Sequence, residues 1–222
     1  MIEKSGYKIA RVDDIEWQDR KGVDGWPSRA GMYYDDPGNN LTMRLIHYTH
    51  GLTEPRHTHD GSHAAVLLEG QALIDNETLG PLDIILGPSN EPHGPLQYPA
   101  GAKIFSAFQG SYFHHEIPIG SGKSHYRLIF PDKLDWRPYQ DGSQVKTLID
   151  HGLGRLLLEL YRFEPGAALS NPGMLAALVV DGNVTIADEV LGRWDFAYLP
   201  KNETRLKMTF PAGGTLLAVT MR

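Results

Sequence analysis

Along the 222 residues of the chain, apolar and polar positions alternate over short stretches that end on glycine or proline. Residues 41–49, 64–69, 71–75, 83–86 and 103–109 each read as a strand, because a period of two sets every second side chain on one face. Gly51, Gly70, Gly80–Pro81, Gly87–Pro88 and Pro99–Ala100–Gly101 separate them, and such residues fix turn geometry. A later series behaves alike: 155–163, 175–180, 183–187, 194–199 and 204–210, with turns at Pro165–Gly166, Asp181–Gly182 and Pro211–Ala212–Gly213–Gly214. No stretch sustains a helical period of 3.6 for long; the leucine-rich 155–163 is assigned to a strand by its surroundings and by Gly154. The pattern predicts an all-β protein.

The two series look like copies. Gly70 and Gly182 stand 112 positions apart, and the same offset pairs Leu79–Gly80 with Leu191–Gly192, Asp83 with Asp195 and Pro88 with Pro200. It also pairs Asn90–Glu91 with Asn202–Glu203, and Pro99–Ala100–Gly101 with Pro211–Ala212–Gly213. Shared turn residues argue for a shared fold repeated twice. Carried through without a gap, this register sets His57 against Leu169, His59 against Asn171, His63 against Leu175 and His93 against Arg205. The turns persist while the histidines do not, so the histidines carry something specific to the first copy.

Composition sharpens this picture. Glycine (24) and proline (15) are abundant, as many short strands require, and 41% hydrophobic with 22% charged residues suits an ordinary globular protein. A net charge of −6 with no basic tract argues against a nucleic-acid partner. No apolar run approaches the roughly 20 residues of a membrane helix, and the opening residues lack the apolar stretch of a signal peptide, so no membrane partner and a cytoplasmic location are expected. The absence of cysteine excludes disulfides, thiolate zinc sites, iron–sulfur clusters and cysteine nucleophiles. A metal site would have to use imidazole and carboxylate.

Four of the ten histidines, His57, His59, His63 and His93, fall between positions 57 and 93. His57 and His59 at i and i+2 of a strand point to one face, so both rings can reach one ion. Asp60–Gly61–Ser62 reads as a turn, His63 opens the next strand, and His93 follows a further strand and turn. Weaker candidates surround them. One of His47 and Tyr48 faces the interior, Gln97, Tyr98 and Gln109 are candidates for a cavity mouth, and His114–His115–Glu116 is read as a solvated loop. Arg205 stands at the lost ligand position of the second copy, and Trp17, Trp26, Tyr33 and Tyr34 are expected to pack beneath a sheet.

The spacing Gly51, five residues, His57-Thr58-His59, three residues, His63, six residues, Gly70 resembles the first motif of the cupin superfamily, with His63 where that motif has glutamate. The second motif is matched more loosely, with Leu82 and Gln97 at its outer positions, Pro88-Ser89-Asn90 for its Pro-x-Gly, and His93 in place. The resemblance implies two tandem cupin barrels of the double-stranded β-helix (jelly-roll) type. The first, 1–125, would carry the metal site, and the second, 126–222, would be a degenerate barrel without ligands. It implies one divalent transition metal, Fe(II) favoured over Zn, Mn or Ni, held by His57, His59 and His93, with His63 either a fourth ligand or a neighbour of the site. Exchanging a carboxylate for a neutral imidazole leaves more of the ion's charge uncompensated and favours small anionic substrates. The expected activity is that of a non-haem Fe(II) dioxygenase acting on a small diketone, phenolic or aromatic acid substrate. A non-oxidative lyase, hydrolase, isomerase or cyclase using Zn, Mn or Ni, and a non-catalytic ligand or metal sensor, are the competing expectations. Cupins often dimerise, so a homodimer is among the expected assemblies.

Overall fold

The alternating stretches become strands because each lays one row of side chains inward and a glycine or proline ends it. The computed structural model describes residues 2–4, 7–19, 28–38, 40–117, 123–152, 155–170, 173–199 and 207–221. Trp26, Asn171, Pro200, Asn202, Glu203 and Arg205 lie outside them. The described residues form no α-helix, and none of their helices is long and apolar enough to cross a membrane.

In chain order the strands begin with β1 (Ile2–Lys4), β2 (Tyr7–Ala10), β3 (Trp17–Asp19), β4 (Ser28–Asp36), β5 (Leu41–Tyr48), β6 (Leu52–Glu54) and β7 (His57–His59). Next come β8 (Ser62–Gly70), β9 (Ala72–Ile74), β10 (Glu77–Leu79), β11 (Ile84–Gly87), β12 (Leu96–Tyr98), β13 (Ala102–Gln109), β14 (His114–Glu116) and β15 (Arg127–Ile129). The later strands are β16 (Arg137–Pro138), β17 (Gln144–Asp150), β18 (Leu156–Phe163), β19 (Ala167–Ser170) and β20 (Ala176–Gly182). The series ends with β21 (Val184–Ile186), β22 (Glu189–Leu191), β23 (Phe196–Tyr198), β24 (Lys207–Phe210) and β25 (Gly214–Met221).

Two compact units result: residues 16–131, and residues 132–222 together with 1–15. In the first, a seven-stranded sheet ordered β15-β11-β8-β13-β5-β4-β3 faces a four-stranded sheet ordered β10-β9-β12-β6, and β7 pairs with β14. Ile46, Leu67, Ile85 and Ile104 of the large sheet meet Ile74, Leu79, Leu96 and Tyr98 of the small one, so burial of these apolar faces holds the sheets together. Tyr33 is buried beside Phe105 and Trp17 lies edge-on to His47.

The second unit repeats the plan with an eight-stranded sheet, β1-β2-β23-β20-β25-β18-β17-β16, and a four-stranded sheet, β19-β24-β21-β22. Its core includes Ile9, Tyr161, Ile186, Leu191 and the stacked rings of Phe163 and Phe210, whose centroids are 3.7 Å apart. The amino-terminal residues belong to this unit rather than to the first, unlike the expected boundaries at 1–125 and 126–222. The physical reason is that β2 pairs along β23 (Lys8 with Tyr198, Ala10 with Phe196) and buries Tyr7 and Ile9 in this core.

The internal repeat extends to backbone detail. The left-handed residues Asp75, Leu82 and Gly101 recur 112 positions on as Ala187, Trp194 and Gly213, all with positive φ. Asp83 Oδ2 accepts from the Gly80 amide at 2.8 Å as Asp195 Oδ2 accepts from Gly192 at 2.9 Å, and the Leu82 amide donates to Leu67 as Trp194 donates to Val179, both at 2.6 Å. Upstream of β8 the gap-free register fails. Tyr98 pairs with Leu52 while Phe210 pairs with Ala167, and Leu96 pairs with Glu54 while Met208 pairs with Leu169. The offset there is 115, because the link into β20 is shorter than the link into β8. Leu169 is therefore the counterpart of Glu54 and not, as the gap-free register has it, of His57.

Asp195 also ties down the amino-terminal residues: Oδ1 accepts from the Val12 amide at 2.9 Å and Oδ2 receives Arg11 Nη1 at 3.4 Å. Asp83→Ala is expected to cost at least about 1 kcal/mol through its turn hydrogen bond, and Asp195→Ala about 2 kcal/mol or more, since it also frees the Val12 amide and Arg11. Urea unfolding of the two variants measures the difference, and limited proteolysis should cut Asp195→Ala first within residues 1–15.

Candidate metal centre

β7 is only three residues long, yet it is gripped on both edges. On one side the His57 amide donates to the His93 carbonyl at 3.0 Å and the His93 amide returns a bond to the His57 carbonyl at 2.9 Å. On the other, β14 pairs His114 with His59 and Glu116 with His57. The segment 114–116, expected as a solvated loop, is thus a strand, because three otherwise unremarkable residues gain order only from pairing. His115 is exposed and its Nε2 lies 2.9 Å from Asp60 Oδ1, away from the ring cluster.

The extended backbone turns His57 and His59 to one face, and the pairing brings His93 beside them. Their side chains are all buried, with ring centroids 4.2 Å apart for His57 and His93, 4.8 Å for His57 and His59 and 5.4 Å for His59 and His93. One ring nitrogen of each lies within 4.8 Å of those of the other two. His63, in β8, brings a fourth buried ring to 4.8 Å from His59 and 4.9 Å from His93. It sits between two cross-strand partners, stacked on Phe108 at 4.7 Å and laid against Gly87, where any added methyl group would overlap the imidazole.

Backbone carbonyls set the tautomers of three of the rings. Nδ1 of His57 is 2.8 Å from the Pro55 carbonyl, that of His59 is 3.2 Å from Phe113, and that of His93 is 3.1 Å from Glu91. A carbonyl only accepts, so each Nδ1 carries the hydrogen and each Nε2 offers a lone pair. His93 Nε2 is buried with no hydrogen-bond partner, as is His63 Nδ1. Leaving such atoms unsatisfied costs on the order of 1–3 kcal/mol each, which an ion would relieve. Burial, with the neighbouring His57 imidazole, lowers the His93 pKa to about 4, and burial with the surrounding imidazoles and Arg44 pushes His63 well below its ordinary value. Both rings are neutral at pH 7. The donor set fits a divalent transition metal held by His57, His59 and His93.

The cluster forms one end of a cavity of ≈ 40 Å³, room for about three water molecules. Its walls are mainly apolar (Ile46, Ile85, Leu96, Ile104), with Tyr48, Tyr98, Ser106, Phe108, Arg44 and Glu54 among them. Of the His47–Tyr48 pair it is thus Tyr48 that faces inward. Tyr98 also faces the cavity, stacked on Tyr48 at 4.5 Å, whereas Gln97 is exposed and Gln109 half-buried outside the lining. The Arg44 guanidinium lies 4.1 Å from the Tyr112 ring centre and 5.2 Å from that of Phe108. Arg44 and Glu54 escaped the sequence reading, because each is a single charge in an ordinary strand whose facing depends on register.

No protein-family model matches the chain, and no curated protein matches it by sequence. Solved structures do. A protein of Nostoc punctiforme PCC 73102 provisionally assigned as a dioxygenase superimposes with a TM-score of 0.80 at 13% identity, over 97% of this chain and 83% of that one. Oxalate decarboxylase of Lactobacillus farciminis gives 0.66 at 12% identity, over 99% and 86%. The pirin YhhW of Escherichia coli, solved with nickel(II), gives 0.63 at 12% identity, over 97% and 98%. These are cupin-fold proteins, and the chain has the cupin fold.

The lowered His93 pKa has a consequence for stability. A histidine whose folded pKa lies below its unfolded value supports the fold fully above about pH 6.5 and progressively less as the pH falls toward 4. Metal-free protein is expected to lose about 3 kcal/mol over that window through His93 alone, and His93→Gln to show a shallower pH dependence. Urea unfolding in the presence of a chelator at a series of pH values checks both.

Proposed function

We propose that the chain is a bicupin whose first unit is a metal-dependent enzyme and whose second is a metal-free counterpart. The activity favoured is that of a non-haem Fe(II) dioxygenase acting on a small diketone, phenolic or aromatic acid anion. The observation that carries the reading is the convergence of three buried imidazoles, each with Nδ1 tied to a backbone carbonyl, at the end of an apolar cavity. His57, His59 and His93 would hold the ion, with His63 beside them. When bound, the ion would supply Lewis acidity toward oxygen donors and a redox partner for dioxygen.

The protein's own contributions follow from its walls. Ile46, Ile85, Leu96 and Ile104 keep water scarce and so strengthen every polar interaction inside. The small volume admits the oxygen-bearing end of a substrate, and anything larger than a few atoms would extend toward the mouth. Arg44, held against Tyr112 and Phe108, places a guanidinium on the cavity wall, where it favours a carboxylate or enolate over a neutral compound. Carbonyl-tied histidines cannot swing aside, so a bound substrate would meet a fixed orientation.

Metal analysis of protein purified without added metal, followed by oxygen consumption with a panel of small 1,3-diketones and hydroxylated aromatic acids, tests the reading. Iron near one equivalent per chain and substrate-triggered uptake are expected, with metal content falling at least about tenfold in His57→Ala and His93→Ala. Zinc or manganese with no oxygen uptake would shift the assignment to a non-oxidative reaction. A parent protein without metal would remove it.

A further inference from the structure

Glu54 stands at a position that the second unit fills with an apolar residue. Its pairing with Leu96 matches the pairing of Leu169 with Met208, and Leu169 is part of the second unit's core. The Glu54 side chain is 8% exposed and lines the same cavity as the imidazoles. A carboxylate at such a depth is costly unless a cation or several donors compensate it. Among the described residues its one ion-pair contact is with His57, whose Nε2 lies 4.0 Å away, and its charge also acts on His93.

That neighbour makes the site more specific. With the His57 Nδ1 hydrogen given to the Pro55 carbonyl, Nε2 presents a lone pair. A lone pair and a carboxylate oxygen thus face one another across 4.0 Å, a gap that no direct hydrogen bond spans. A cation between them does. His63, which occupies the motif position of the ligand carboxylate, is fixed in the wall by Phe108 and Gly87.

We infer that Glu54 is a fourth protein ligand of the metal, so that the carboxylate missing at position 63 is delivered instead by β6. This rests on the metal site proposed above. It changes the donor set from nitrogen alone to three nitrogens and one oxygen, halves the net charge of the loaded centre, and moves its preference toward ions that accept oxygen, such as Fe(II) and Mn(II).

The test uses the full chain, stripped of metal and titrated with Mn(II) alone, the free ion being followed by its electron paramagnetic resonance. Glu54→Gln should bind Mn(II) at least about 30-fold more weakly than the parent, and Glu54→Asp should recover part of the loss. In the metal-free state Glu54→Gln should also melt a few degrees higher than the parent, since it takes a carboxylate out of a cavity with mainly apolar walls, while gaining less from added Mn(II). Binding within threefold of the parent overturns the role of Glu54, and so does weaker binding accompanied by a lower melting temperature of the metal-free variant, which marks a structural part. A parent that binds no divalent ion overturns the metal site itself, a result distinct from a parent that binds and a variant that matches it.

Discussion

Two backbone hydrogen bonds between His57 and His93 join a three-residue strand to a turn that follows β11, and the chemistry of the first unit depends on that junction. It brings the two rings to 4.2 Å, a separation at which two imidazolium charges in a buried setting are strongly disfavoured. Burial and the neighbouring His57 ring keep His93 neutral, which is the state a metal requires. The carbonyls of Pro55, Glu91 and Phe113 then decide which nitrogen is left to bind. Pairing, burial and tautomer are thus one constraint seen at three scales.

The repeat shows what such a site costs. Both units use the same left-handed turn residues and the same aspartate–glycine turn bonds, so the backbone framework does not require the histidines. Where the second unit buries Leu169 and Leu175, the first buries Glu54 and His63. Each exchange trades apolar burial, about 1.5–3 kcal/mol for a leucine, for a polar group that needs a partner. The second unit gains a continuous core, while the first has a cavity whose lining includes two unsatisfied imidazole nitrogens, His63 Nδ1 and His93 Nε2. Stability given up at particular positions, with the surrounding sheets unchanged, is the usual mark of a functional site.

The strands were legible because their period of two and their glycine and proline borders are local properties: β5, β8, β13, β18 and β20 all lie where alternation places them. The clustering of His57, His59, His63 and His93 was legible for the same reason, since strand phase fixes facing. What escaped depends on partners distant in sequence. The chain beginning joins the second unit through β23, a pairing no local pattern announces. The change of offset from 112 to 115 is marked by a single glycine pair, Gly51 with Gly166, too little to be read against the many turn residues that keep the spacing of 112. Strand β14 has no alternation of its own and exists only against β7. Glu54 was hidden by the same shift, since the gap-free register matched its counterpart Leu169 to His57.

Metal-site composition is therefore better judged from facing than from motif position. A motif assigns roles by spacing, but the carboxylate oxygen that can reach a centre is set by which strand borders it and in which phase. In this chain position 63 lies in a strand between Gly87 and Phe108, where a flat ring fits by stacking and its neighbour carries no side chain. Position 54 lies at the end of a short strand opposite Leu96, three residues before His57, where a flexible carboxylate lines the cavity. The two positions border the same cavity from different sheets, so one donor type can move between them without altering the barrel that carries it.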